Sequence, residues 1–535
     1  MHQVYIYDTT LRDGTQGEEI SFSVEDKIKI ALRLDAFGVE YVEGGWPGSN
    51  PKDMEFFERM KSIPLKKTKL AAFGSTCRAS SDPQSDENVI QLLKAETPVV
   101  TIFGKSWELH VLEALGTTLE RNLEMIYDTV KYLKANGKEV VYDAEHFFDG
   151  FKSNSSYASK TLQAAEAGGA DTIVLCDTNG GTMPHEVEAI FKSASQLVRV
   201  PLGIHAHNDS ELAVANSLTA VRSGAVQVQG TINGFGERCG NANLCSIIPI
   251  LQMKLGMSAV PPEKLAGLTE LSRFVSDVAN LQPRKNLPYV GQSAFAHKGG
   301  IHVSAVMKSA RTYEHIEPKL VGNSRRVLVS DLSGKSNVLY KAKELGIEIS
   351  GNNGQASSVV NELKSLENEG YVFEDADASL EILIRKSAGD VVMPFELESL
   401  HIIIEKDAND GISHTVATIK LRVGDKIELT ASEGNGPVNA LDNALRKALL
   451  QFYPQLAETK LSDYKVRVVD GADGTAAKVR VLIETTDLDS NWDTVGVSEN
   501  IIEASWKALV DSIVYKMMKD NDKNKASKRH VELRK

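Results

Sequence analysis

Cysteine is scarce in these 535 residues: Cys77, Cys176, Cys239 and Cys245 are the full set, and no two of them form a Cys-x-x-Cys pair. That excludes a disulfide scaffold and a structural zinc cluster, and it suits a reducing compartment. Aromatic residues supply only 6% of the chain, and no apolar run approaches the roughly 20 residues that a membrane span needs. The chain enters a strand-like run at once, with no charged and apolar leader, so the expected setting is the cytoplasm, with no membrane as partner. Basic residues are also in the minority: 60 Lys and Arg against 72 Asp and Glu leave a formal charge of -12. This balance argues against nucleic acid or an anionic bilayer as a bulk partner, while leaving room for a local basic pocket. A Gly-x-Gly-x-x-Gly fingerprint is missing after the first strand, where residues 8–14 hold a single glycine. An open dinucleotide-binding sheet therefore ranks behind the alternative that follows.

What the chain does have is a cadence. Strand-like runs at residues 4–8, 41–45, 70–74, 99–103, 140–144, 172–176, 202–205 and 226–232 are interspersed with amphipathic stretches at 23–37, 119–135, 157–167, 186–198 and 212–222. Eight strands with their helices in roughly 250 residues fit an α/β fold of the (β/α)8 TIM-barrel type. With 42% apolar content the chain is too long for one core. The expected division is a catalytic TIM barrel over 1–260, a helical linker over 261–394, an α+β C-terminal regulatory domain over 395–518, and a solvated, charged tail over 519–535. In the linker, helices are expected at 274–281, 335–345 and 356–369, with a turn at 351–354. The C-terminal region reads as a repeat. Strands at 400–405, 414–422 and 426–431 precede a helix at 437–450, and strands at 464–469, 478–485 and 492–497 precede one at 500–516. The two helix starts, near Asn435 and Ser498, offer unpaired backbone amides to a carboxylate ligand.

In a barrel of this kind the active site is built on the loops that follow the strands. Arg12, Asp13 and Gln16 follow the first strand, Glu145 the fifth, and Asp177 and Thr178 the sixth; His205 and His207 end the seventh, and the eighth leads to a glycine loop ending at Asn241. On a strand, His205 and His207 share one face. They form a natural pair of ligands for a divalent metal, with Asp or Asn oxygens to complete the shell. The plain alternative is two histidines hydrogen-bonded at a strand end. Closure would put the eighth strand beside both the seventh and the first, so that Asp13, His205, His207 and Asn241 meet.

Three runs then carry a resemblance: Asp8-Thr-Thr-Leu-Arg-Asp-Gly-Thr-Gln16, His205-Ala-His-Asn-Asp209 and Gly234-Phe-Gly-Glu-Arg-Cys-Gly-Asn241. Together they resemble the metal-dependent acyltransferases that include 2-isopropylmalate, homocitrate and citramalate synthases. Gly104-Lys-Ser-Trp-Glu-Leu-His110 is similar to the citramalate-forming branch. The resemblance implies a divalent cation, Mg2+ or Mn2+ first and Zn2+ or Co2+ as alternatives, held by Asp13, His205, His207 and Asn241. It implies pyruvate and acetyl-CoA as substrates. Arg12 would stabilise enolate or alkoxide oxygen, and Arg12, Gln16 and Thr178 would hold the 2-oxo acid. Glu145 would be a base or would orient Arg12. Phe295-Ala-His-Lys-Gly-Gly-Ile-His302 resembles the family segment whose last histidine enters the partner subunit's site, which makes His302, assisted by Tyr313, the favoured base or proton relay in a homodimer. His297 is expected to be structural, Asp177 to anchor its loop, and Cys239 to be a bystander. The C-terminal repeat resembles the family's regulatory domain, with isoleucine as the expected effector and isoleucine biosynthesis as the pathway. Phe73, Ile102 and Phe103 are expected to exclude branched 2-oxo acids by bulk.

Overall fold

The computed structural model describes residues 2–349, 354–406, 413–469 and 474–532. Eight parallel strands, β1 (Tyr5–Asp8), β2 (Tyr41–Gly45), β3 (Lys69–Ser75), β4 (Val99–Lys105), β5 (Glu139–Glu145), β6 (Thr172–Asp177), β7 (Leu202–Ala206) and β8 (Gln227–Gly230), pair in sequence order and close into a barrel. Closure is the pairing of β1 with β8, Tyr5 with Gln227 through Asp8 with Gly230. The strands read as apolar runs because both faces are covered. Tyr7, Tyr41, Ala71, Val99, Val141, Val174 and Cys176 fill the barrel interior. Their neighbours in sequence, such as Ile6, Val42, Ala72, Val100 and Ile173, pack outward in the main core with the helices.

The helices between the strands are α1 (Val24–Phe37), α2 (Pro51–Met60), α3 (Glu87–Lys94), α4 (Leu119–Ala135), α5 (Phe147–Gly168), α6 (Pro184–Ala194) and α7 (Ala213–Arg222), with α8 (Leu244–Met253) after β8. Local chemistry sets their starts. Ser23 and Asp26 form a reciprocal capping box on α1, Asn50 caps α2 ahead of Pro51, and Asp86 accepts from two amides of α3. The amphipathic pattern had not revealed α2 and α3, which are short. It also gave only the second part of α5, which turns out of helical geometry at Asn154.

Two compact units divide the chain, one of residues 1–295 with 316–325 and the other of residues 296–315 with 326–535. The first holds the barrel and the helix Leu268–Val278. The second holds the short helix Gly300–Lys308, the helices Lys335–Glu344, Gln355–Asn368 and Asp377–Ala388, and two three-stranded antiparallel sheets. Except for Gly354, the turn expected at 351–354 falls outside the described residues. One sheet consists of Glu396–Lys406, Ser413–Val423 and Lys426–Gly434 and is backed by the helix Pro437–Leu449. The other consists of Lys460–Val468, Val479–Thr486 and Asn491–Ser498 and is backed by Ile501–Glu532. Ile419, Leu421, Leu441, Leu445, Val481, Ile483 and Leu509 share one core beneath both.

The charged tail differs from expectation: the last helix runs on to Glu532 instead of stopping near residue 516. Lysines spaced along one face meet the acidic turn of the preceding hairpin. Lys516 and Lys519 reach Asp487 at 3.0 and 2.9 Å, and Lys523 pairs with Asp489. The missing apolar stripe is replaced there by ion pairs, two of them on an Asp487 side chain that is 1% exposed.

Candidate active site

A cavity of about 190 Å³ opens at the C-terminal ends of the barrel strands. Arg12, Asp13, Gln16, Glu145, Thr178, His205 and His207 line it, together with Trp46, Phe73, Phe103, Asp143, Cys176 and Glu237. Asn241 lies behind Asp13, whose Oδ1 accepts from Asn241 Nδ2 at 2.9 Å, and an isolated bridge joins Asn241 to His207. The glycine loop allows this approach. A Cβ on Gly236, whose φ is +151°, would stand 2.0 Å from the Asn241 amide.

Asp13, His205 and His207 are all buried, and one ligand atom of each lies within 4.8 Å of the others. His205 Nε2 is 3.5 Å and His207 Nε2 4.0 Å from Asp13 Oδ2. Burial pushes the Asp13 carboxyl up, but Arg12 and the two imidazoles outweigh it and hold the group at about 2. Burial lowers His205 to about 4, against the pull of Asp13, and lowers His207 in the same way. The result is an ionised carboxylate facing two neutral imidazoles, which is the protonation state of metal ligands. Asn241 Oδ1 is buried without a hydrogen-bond partner, and a cation is what such an orphaned acceptor lacks. The donor set therefore fits a divalent ion.

Around this centre the charges are tied down. Arg12 Nε donates to Glu43 Oε1 at 2.5 Å, Nη1 lies 3.1 Å from Asp13, and the guanidinium carbon sits 3.7 Å from the centre of the Phe73 ring. Burial works against the Arg12 charge, yet Glu43 and Asp13 raise its pKa above the usual arginine range. Glu43 also accepts from Tyr7 Oη at 2.8 Å. Glu145 pairs with Lys105, so the carboxylate that grips Arg12 from a neighbouring strand is Glu43. Thr178 Oγ1 accepts from the His146 amide at 2.9 Å, which leaves its own proton to point elsewhere. His146 holds a left-handed backbone, φ +56°, directly after Glu145. Asp177 anchors its loop through Thr182 and Asn216.

One wall is aromatic. Phe73 and Phe103 stack with centroids 5.5 Å apart, and Trp46 meets both edge-on. Trp46 is pinned by Asn88 at its indole nitrogen and by Asp53 at its amide, and Asp53 in turn holds the buried Lys27. Ile102 faces away, into the core between strands and helices, because it alternates with Phe103 along β4. Burial pushes the Cys176 thiol well above its ordinary range, so it is no nucleophile. Cys239 is exposed and free.

His302 and Tyr313 belong to the second compact unit and stack on each other with centroids 4.2 Å apart. His297 is buried, 3.2 Å from Glu314. Sequence reading missed Glu43, Lys105, Trp46, Asp143 and Gln229. Two of them left a signal, since a carboxylate inside an otherwise apolar parallel strand, as Glu43 and Asp143 are, must have an interior partner.

Family comparison agrees with this architecture. The HMGL-like family profile matches residues 3–275, the homocitrate synthase post-HMGL domain-like profile 289–371, and the LeuA allosteric (dimerisation) domain profile 374–517. An (R)-citramalate synthase of Aquifex aeolicus is 59% identical over 97% of this chain and 99% of its own. One of Geobacter sulfurreducens is 58% identical over 98% and 99%. A 2-isopropylmalate synthase of Methanocaldococcus jannaschii is 32% identical over 96% of this chain and 94% of its own. Barrel, rim and full-length identity together make this chain a member of the HMGL-like family, in the group of that family that includes the (R)-citramalate synthases.

Proposed function

We propose that this chain catalyses the (R)-citramalate synthase reaction, in which the methyl carbon of acetyl-CoA bonds to the carbonyl carbon of pyruvate and water cleaves the thioester. The products are citramalate, free coenzyme A and a proton. The observation that carries this reading is 59% identity to an (R)-citramalate synthase over nearly the whole of both chains. The 2-isopropylmalate alternative rests on relatives at 32%.

Asp13, His205, His207 and Asn241 would hold the divalent ion, Mg2+ or Mn2+ in first place. When bound, it supplies Lewis acidity to the ketone and carboxylate of the 2-oxo acid. Arg12 stabilises the charge that grows on oxygen as the carbon-carbon bond forms. Because Glu43, Asp13 and Phe73 already fix its guanidinium, little reorganisation is needed at that moment. Thr178 donates its free hydroxyl proton to the substrate carboxylate, and Gln16 lines the same cavity. Glu145, held by Lys105, is one candidate to take the methyl proton; the other is His302, backed by Tyr313, delivered by the partner subunit of a homodimer. Removing that proton is the difficult step, since a thioester methyl is a weak acid. Trp46, Phe73 and Phe103 limit the space beside the ketone and favour pyruvate over a branched 2-oxo acid. Residues 1–260 then carry the chemistry, 261–394 deliver the second set of groups, and 395–518 form the regulatory domain. Isoleucine is the expected effector of an enzyme that feeds isoleucine biosynthesis in the cytoplasm.

Coenzyme A release by purified protein across pyruvate, 2-oxobutyrate, 2-oxoisovalerate and 2-oxoglutarate tests the reading. Pyruvate should give the highest kcat/KM, and a chelator should abolish release. A preference for 2-oxoisovalerate or 2-oxoglutarate overturns the substrate assignment.

A further inference from the structure

We infer that Gln229, anchored by Asp143, is a positioning residue that keeps the proton of His205 on Nδ1 and so reserves Nε2 for the metal. The inference rests on the metal-dependent reading above and goes beyond the ligand set to what orients one member of it. Gln229 is fully buried on β8 and pairs in register with His205 on β7. Its Oε1 lies 2.9 Å from His205 Nδ1, and its Nε2 donates to Asp143 Oδ1 at 2.9 Å. Since Asp143 stands on β5, this chain of bonds crosses the barrel interior.

A neutral imidazole carries one N–H, and an amide oxygen can only accept. With Gln229 Oε1 at Nδ1, the proton must sit on Nδ1, and the lone pair is left on Nε2, the nitrogen that faces Asp13. The observed bonds run Nε2 to Asp143 Oδ1 and Oε1 at Nδ1, whereas the reverse orientation would turn an N–H toward Nδ1 and move the imidazole proton to Nε2. By accepting from the amide nitrogen, Asp143 Oδ1 holds that orientation, and the amide oxygen sets the tautomer. His207 has no equivalent device, for its buried Nδ1 is without a partner. Such outer groups commonly change metal affinity by about 10- to 100-fold.

The test is Mn2+ binding to chelator-stripped, full-length protein, followed by the electron paramagnetic resonance of the free ion. Gln229→Met keeps the volume but removes both bonds, and should raise the Mn2+ dissociation constant at least tenfold. Gln229→Glu keeps an acceptor on Nδ1 and should lose less. Saturating Mn2+ should restore most of kcat to Gln229→Met while the half-activating concentration rises, a split that a purely structural role would not give. A folded Gln229→Met protein that binds Mn2+ as tightly as the parent overturns the inference. If that variant does not fold, Gln229→Asn, too short to reach both partners, takes its place with the same two outcomes. A parent that binds no Mn2+ sinks the metal reading itself, which is a separate and visible failure.

Discussion

At the scale of single residues, Arg12 is held by three unlike contacts: a carboxylate from β2, the neighbouring Asp13 and the face of Phe73. A lysine reproduces the charge but neither the planar fork nor the stacking. Arg12→Lys should therefore lower kcat/KM by at least about 100-fold while far-UV circular dichroism stays unchanged. A loss below tenfold would show that charge alone suffices. Asp8 makes a different point. It is fully buried at the end of β1, and burial raises its carboxyl to about 7 despite two bonds from Thr10. A carboxyl raised in the folded state adds stability that is complete below its unfolded value near 4 and is lost as pH rises through 7. Asp8→Asn removes that dependence. Relative to the parent, the variant should gain roughly 3 kcal/mol between pH 5 and pH 8, read as a melting-temperature difference that widens in its favour. A difference that stays constant with pH would mean that Asp8 is ionised throughout.

At the scale of elements, the barrel strands were legible and several helices were not. A parallel strand covered on both faces shows as an apolar run whatever its neighbours do, and β6 is buried at every position. A helix must show a stripe over several turns, and α3, with eight residues, is too short for one to stand out. The rim residues could be read because they follow strands. Glu43 signalled that it has an interior partner but not which one, and Gln229 gave no signal, since which interior groups they meet depends on closure of the whole sheet. The final helix misled for a further reason: its lysines pair with a hairpin turn that sequence proximity does not reveal. Strand alternation also decides which expected bulky side chains line the cavity. Phe103 lines the cavity and Ile102 does not. Phe103→Ala, which spares the Phe73 stack on Arg12, should shift the kcat/KM ratio of 2-oxoisovalerate to pyruvate upward by about tenfold. An unchanged ratio would remove the aromatic wall from the account of specificity.

At the scale of the whole molecule, the groups proposed for one reaction are shared between two compact units, Arg12 in the first and His302 in the second. If the second unit of each subunit serves its partner's barrel, mixing His302→Ala chains with Arg12→Ala chains should restore part of the activity. A heterodimer then contains one site with both groups intact. Verified heterodimers no more active than either parent would show that each site is built from a single chain.

Asp13 and Asn241 are hydrogen-bonded neighbours 228 positions apart in the chain, and that separation governs when the site comes into being during synthesis. A ribosome must deliver both ends of the barrel before β8 can pair with β1, so every shorter nascent chain lacks a complete ligand set. Contacts of such long sequence separation are among the last and slowest to form. On the metal-dependent reading proposed above, ion capture would report finished folding: a half-made barrel offers scattered imidazoles, a carboxylate and an amide, and the closed one gathers them at a single point.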